Sequence, residues 1–265
     1  MRRQLKYSDA SNAMLKTNGA HVFAAEHSLQ IFRSNSIYTF IPKNACSTLR
    51  LSIALENGVI ESPDQYNWIH LNNTTFLADL RSLATAQYTF TILRCPFARL
   101  ASVYLDKIVQ RSPIMWQLYD VMKRDVPPEN MTFRRFVKSL LNPGYLKCNE
   151  HWRPQVDFLV YDEYDDYLSV EKFKQACETI ELKSGMRVVD ARDLTMHGIS
   201  HLKRVAVPNG PDLRPTTILD MRERQEVPDP VSLFDDELIV ATRKIYQQDI
   251  LAYTSRFGSD DMLIR

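Results

Sequence analysis

Two stretches of this chain carry side chains suited to holding a phosphate-bearing molecule. In the first, Pro42-Lys43-Asn44-Ala45-Cys46-Ser47-Thr48 sets a lysine close to two hydroxyls. Backbone N–H groups at a loop that opens a helix point at an anion, and the lysine adds a mobile positive charge. In the second, Arg94 stands just ahead of Arg99 and Ser102. The glycines of a Walker A loop, G-x-x-x-x-G-K-S/T, are absent, so the first stretch is not one. These residue types point to an anionic nucleotide and leave open which one.

The elements that must position these residues can be read from periodicity. Ile37 to Ile41 is long enough for one buried strand, and Pro42 ends it because proline has no N–H for a central ladder. Ser47 or Thr48 is expected to cap a helix whose apolar face is Leu49, Ile53 and Leu55, with Gly58 as its stop. Tyr88 to Leu93 predicts a second strand. Pro96 suits the first turn of the helix that follows. Phe97, Leu100, Ala101, Tyr104, Leu105 and Ile108 form its apolar stripe, and Arg99, Ser102 and Asp106 share another face. Arg94 falls where strand hands over to helix, the edge at which open α/β sheets bind ligands.

The remaining chain fills in around this frame. Residues 1–30 read as an irregular N-terminal segment, in which His21 and His27 are surface or packing residues. Asn67 to Leu71 reads as a short strand, Thr74 to Leu83 as a helix, and Val156 to Tyr161 as a strand. Helices are expected from Met115 to Met122, with Trp116 and Tyr119 in its core face, and around Phe133 to Leu141. A turn is expected at Asn142-Pro143-Gly144, and a solvated one at Asp162 to Asp166. Ser169 to Lys183 reads as a helix stopped by Gly185. Residues 190–232, with five prolines, read as a long loop that holds His197, Ser200, His201, Lys203 and Arg204. Leu233 to Phe257 predicts one terminal helix. Alternating strands and helices predict an α/β protein, a parallel sheet flanked by helices, within a single domain over residues 1–265.

Composition bounds the function classes. Hydrophobic residues are 45% and charged residues 25%, ordinary for a globular protein. Lys plus Arg number 33 against 32 Asp plus Glu, a net charge of +1, which argues against a general nucleic-acid binder. The 7 glycines are few for a fold built on glycine-rich nucleotide loops. No apolar run approaches the ~18 residues of a membrane span, and no hydrophobic signal core follows the basic start, so a cytoplasmic location is expected. Cys46, Cys95, Cys148 and Cys177 lack C-x-x-C spacing, which supports neither a metal site nor a disulfide framework.

Taken together, the motifs resemble those of sulfotransferases that use 3′-phosphoadenosine 5′-phosphosulfate (PAPS), specifically the carbohydrate group that includes HNK-1-type enzymes. Pro42 to Ser47 resembles that family's P-K-x-x-C-S/T loop. Arg94 to Tyr104 matches every specified position of R-x-P-F-x-R-L-x-S-x-Y/F. His151 to Gln155 resembles its H-W-x-P-Q element, and Ile245 to Asp249 its C-terminal helix. The resemblance implies a P-loop-like sulfotransferase fold, PAPS as co-substrate without a metal, and a carbohydrate or glycolipid hydroxyl as acceptor. It implies that Lys43 stabilises the leaving phosphate and that the amides of Asn44, Ala45, Cys46, Ser47 and Thr48, with the last two hydroxyls, hold the 5′-phosphate. Arg94 and Ser102 would hold the 3′-phosphate.

Transfer to a hydroxyl also needs a general base, most often histidine. His70, between the two motifs, is the first candidate, and His151 the second. Trp152 is a sugar-stacking or packing surface, and Arg99 a structural residue. Cys95 stands where the family commonly has Asp or Glu, and the cysteines that often follow H-W-x-P-Q are missing. Those differences suit a soluble bacterial member. Two rival readings are a P-loop-type kinase or hydrolase and a non-catalytic nucleotide- or sugar-binding relative. The kinase reading lacks the Walker A glycines and an obvious magnesium-holding Asp after Leu93.

Overall fold

The computed structural model describes residues 3–9, 14–72, 74–191 and 201–265. The chain forms two compact units, Met1–Arg94 with Gln155–Met196, and Cys95–Pro154 with His197–Arg265. Among the described residues, the first unit holds a four-stranded sheet in the order β1 (Ser28–Ile31), β2 (Ser36–Thr39), β3 (Tyr88–Leu93), β4 (Asp166–Ser169). β1 runs antiparallel to β2; the other pairs are parallel, with Thr39 aligned to Thr91 and Leu93 to Ser169.

All of β2 and β3 is buried, the pattern of strands covered on both faces. Side chains alternate along a strand, so Tyr38, Phe90 and Ile92 join one core with Leu49 and Ile53 of the helix Cys46–Glu56 and Ile180 of the helix Phe173–Ser184. Ile37 points the other way, into a core with Ala24, Leu83 and Tyr161. Each such side chain contributes about 1.5–3 kcal/mol on burial, which fixes the register because a one-residue slip would expose the whole set. The parallel pairing of β2 with β3 brings their C-terminal ends to one edge of the sheet. The loop after β2 and Arg94 after β3 therefore start side by side.

The α/β class and the strand Tyr88–Leu93 agree with the sequence reading; the strand read over Ile37 to Ile41 is found at Ser36–Thr39, ending before Phe40 rather than at Pro42, and several flanking elements differ. Asn67 to Leu71 is not a strand: Trp68–Leu71 is one helical turn, closed by Asn72, whose backbone N and Nδ2 both donate to Trp68 O. The helix expected from Thr74 begins only at Leu80, where Asp79 Oδ1 accepts from Ser82 N. Phe76 and Ala78 instead pair with Gln30 and Ser28, covering the edge of β1. Val156 to Tyr161 is not a strand either; Gln155–Phe158 is a 3-10 turn. The fourth strand starts in the stretch read as a solvated turn. Asp165 accepts from the N–H and hydroxyl of Thr89, which docks that segment beside β3, and the edge position leaves Asp166 half-exposed. The following helix starts at Phe173 because Ser169 belongs to β4.

In the second unit, the helix Pro96–Val103 runs into a π-helical turn, Tyr104–Ile108, and its predicted apolar stripe is buried throughout. Tyr104, Phe133, Phe136 and Trp152 centre the core. Trp116 lies outside it: the helix Pro113–Val121 buries Met115 and Leu118, and Trp116, 46% exposed, packs its ring edge-on against Tyr119. The expected turn at Asn142 opens a helix, Pro143–Lys147, because Asn142 Oδ1 accepts from Gly144 N and Pro143 takes the first position. The proline-rich stretch is not a long loop either. β5 (Lys203–Val205), the helix Pro215–Glu223 and β6 (Glu226–Pro228) form a parallel β-α-β unit. Pro211, Pro215 and Pro230 sit at helix first turns and Pro228 at a strand end, where no ladder N–H is lost, and Pro208 lies in a turn. His197 and Ser200 lie outside the described residues. The terminal helix is two, Asp236–Ile245 and Gln247–Phe257, broken at Tyr246, whose hydroxyl donates to Trp152 O at 2.6 Å. Gly258, at φ 75°, stops the second.

Candidate active site

The loop after β2 turns through left-handed backbone twice, at Lys43 (φ 72°) and Ala45 (φ 58°). Neither residue is glycine, so each costs about 1–2 kcal/mol, a strain of the kind that proteins concentrate at functional sites. The helix Cys46–Glu56 then opens without a side-chain cap. The capping expected from Ser47 or Thr48 does not occur, because both already lie inside the first turn and Ala45 takes the N-cap. The early N–H groups of a helix have no partner four residues back. Following a left-handed turn, they make a concave set of donors suited to an anion. Ser47 is half-buried. Thr48 is buried and its Oγ1 accepts from Ala191 N at 3.3 Å, so Ser47 is the more open hydroxyl.

Arg94 is tied into this loop. Its Nη1 donates to Lys43 O at 2.9 Å, so one prong of the guanidinium braces the turn that carries the lysine. Asn44 is fully buried, and its Nδ2 donates to Ile92 O at 2.8 Å and Gln155 Oε1 at 2.6 Å. Gln155, also buried, accepts from Arg94 N at 3.0 Å and donates to Arg94 O at 2.9 Å. Three segments distant in sequence thus close into one corner at the end of β3. Sequence reasoning assigned Asn44 only a backbone role and Gln155 none; the H-W-x-P-Q likeness was the signal that could have found the second.

His70 lies exposed on its single helical turn. His151 is 18% exposed and held by a neighbour. Asn149 Oδ1 accepts from both the backbone N–H of His151 (3.0 Å) and its Nδ1 (2.9 Å). The backbone donor fixes which end of the Asn149 amide is oxygen, so the ring donates from Nδ1, and in the neutral tautomer Nε2 is the acceptor nitrogen. Asn149 Nδ2 donates in turn to Gln117 Oε1 at 3.0 Å.

Arg99 has the expected structural part: buried, it donates to the carbonyls of Glu150 (3.1 Å) and Arg153 (2.8 Å), pinning the histidine turn from both sides. Trp152 is fully buried, with Nε1 donating to Tyr145 O, so it is a packing residue rather than a sugar platform. Ser102 is half-buried on the helix Pro96–Val103. Cys95 is buried, and its sulfur accepts from Leu263 N at 3.3 Å, a packing role for the residue that departs from the motif. Among the described residues no group of His, Cys, Asp or Glu is arranged to hold a metal, and no helix is long and apolar enough to cross a membrane.

Against known proteins, residues 31–254 match the sulfotransferase family. Human carbohydrate sulfotransferase 14 is 28% identical over 143 residues, covering 48% of this chain and 38% of that protein. The mouse (Mus musculus) protein of the same name is 27% identical over the same length and coverage. The Danio rerio protein is 25% identical over 134 residues, 44% of this chain and 36% of its own. The match thus spans little more than a third of these curated relatives. No solved structure matches the chain.

Proposed function

The chain belongs to the sulfotransferase family, and from that premise we propose that it moves the sulfuryl group of PAPS to a hydroxyl of a carbohydrate or glycolipid. The observation that carries this reading is the corner in which Arg94 braces the Lys43 turn at the mouth of an uncapped helix. A nucleotide with phosphates at both its 5′ and 3′ positions suits a loop of N–H donors next to an arginine. The acceptor class rests on the names of the relatives and on the motif likeness.

In the proposed reaction the acceptor oxygen attacks sulfur in line, and the bond from sulfur to the bridging phosphate oxygen breaks. The electron pair of that bond leaves with 3′-phosphoadenosine 5′-phosphate. Such a transfer makes few demands beyond positioning and charge stabilisation, as phosphoryl transfer does. Lys43 would neutralise charge growing on the leaving phosphate. The amides from Asn44 to Thr48 and the Ser47 hydroxyl would hold the 5′-phosphate. Arg94 and Ser102 would hold the 3′-phosphate. The acceptor proton goes to a histidine. Of the two candidates His151 is favoured, because Asn149 holds its ring through Nδ1 in the tautomer whose Nε2 can accept a proton.

A thermal-shift comparison tests the donor. The product nucleotide, 3′-phosphoadenosine 5′-phosphate, at a hundredfold excess over its dissociation constant is expected to stabilise the chain by ~2.7 kcal/mol. ATP with magnesium is expected to do much less. A larger shift with ATP would return the site to the kinase or hydrolase reading.

A further inference from the structure

We infer that Gln155 is the positioning residue of the anion corner: its side-chain amide takes the place of the strand that leaves the sheet to form the loop. This rests on the sulfotransferase reading only for the identity of the anion.

Along β3, main-chain groups alternate in direction from residue to residue. Leu93 O is taken by Val170 N, just past β4. Ile92 and Arg94 therefore present their main-chain groups to the opposite side, that of β2. But β2 ends at Thr39, level with Thr91, and the chain then turns away through Pro42 into the loop. Among the described residues no strand continues the ladder beyond that point on this side. Two side-chain amides finish it instead: Asn44 Nδ2 reaches Ile92 O, and Gln155 takes both the N–H and the C=O of Arg94. Each assignment is fixed by a backbone group that can only donate or only accept.

Gln155 Oε1 also accepts from Asn44 Nδ2, so one buried amide registers the arginine and the lysine loop together. An unsatisfied buried peptide group is strongly disfavoured. β2 can thus turn aside here only because these side chains satisfy what it abandons. Gln155 touches the backbone of the proposed ligand-holding residues, and it acts on the nucleotide through them.

Isothermal titration of 3′-phosphoadenosine 5′-phosphate into the full chain tests this, at a temperature where circular dichroism shows each variant folded. If the wild-type chain does not bind, the sulfotransferase reading fails and the inference goes with it. Given binding, Gln155→Met keeps the length but loses both polar ends, and is expected to weaken the nucleotide at least about tenfold. Gln155→Glu keeps the accepting end alone and is expected to fall between the two. A Gln155→Met chain with a lowered melting temperature but wild-type affinity would overturn the inference, since that is what a purely structural glutamine predicts. Should neither variant fold, Asn44→Ala, which cuts the link from Gln155 to the loop, decides. The same loss of affinity supports the inference and unchanged affinity overturns it.

Discussion

The anion corner and the histidine turn solve the same problem with the same kind of side chain. In each, a carboxamide grips a candidate site residue at two points: Gln155 holds Arg94 by its backbone N and O, and Asn149 holds His151 by its backbone N and its ring Nδ1. They differ in burial. Gln155 and Asn44 are closed off from solvent, and the loop they hold is strained at Lys43 and Ala45. Asn149 is half-exposed and leans on Gln117, which is exposed. A buried amide allows one geometry, because every alternative leaves a peptide group unpaired. A half-exposed one can trade its bonds for water. The corner therefore holds Arg94 and the lysine loop in one arrangement. The turn holds the His151 ring while remaining partly open to solvent.

That contrast can be broken most directly at the histidines. His151→Ala is expected to lower kcat by about 10²–10⁴-fold while nucleotide binding persists, and His70→Ala to leave turnover unchanged. Rates of labelled-sulfate transfer from PAPS decide this, and the opposite pattern would move the base to the exposed helix. Lys43→Ala should come next, with a loss of about 10²–10³-fold in the transfer step measured under single-turnover conditions. Asn149→Ala should reduce kcat by roughly tenfold, with nucleotide affinity kept, since it frees the ring to turn without removing it. A loss as large as that of His151→Ala would show that the turn is as rigid as the corner.

Smaller effects should appear in stability alone. Burial pushes the Asp165 carboxyl up, but the Arg3 guanidinium at 2.7 Å and the Thr89 N–H and hydroxyl outweigh it, holding it below the usual carboxylate range. A depressed folded-state value means stability that is present at neutral pH and lost as pH falls through it. The advantage of the wild-type chain over Asp165→Asn, about 1–3 kcal/mol in urea unfolding, should therefore be full at pH 6 and fade below about pH 4. Ala45→Gly should stabilise by about 0.5–1 kcal/mol in the same assay, because glycine relieves the left-handed turn. A destabilised Ala45→Gly chain would mean that the turn is less strained than its φ implies.

Particular residues show where sequence reading ends. Tyr88 to Leu93 was legible to the residue, since a strand buried on both faces is an unbroken apolar and β-branched run. Gly58 and Gly185 were legible as helix stops, both at φ 72°. The 203–232 stretch was not, because prolines mark loops and also helix first turns, and only the pairing of β5 with β6 tells which. β4 was hidden because its charged start suits an edge strand as well as a turn. The helix break at Tyr246 leaves no local trace; it coincides with a hydroxyl reaching Trp152 O from far along the chain.

By itself the sequence determined the α/β class, the two central strands, and the lysine, hydroxyl and arginine motifs that place the chain among sulfotransferases. Those depend on periodicity and residue type, which act locally. The tertiary structure decided that Arg94 braces the lysine turn and that Gln155 completes the ladder β2 abandons. These depend on which backbone groups remain unpaired once the sheet has formed. Such groups have no signature until distant segments are brought together to satisfy them.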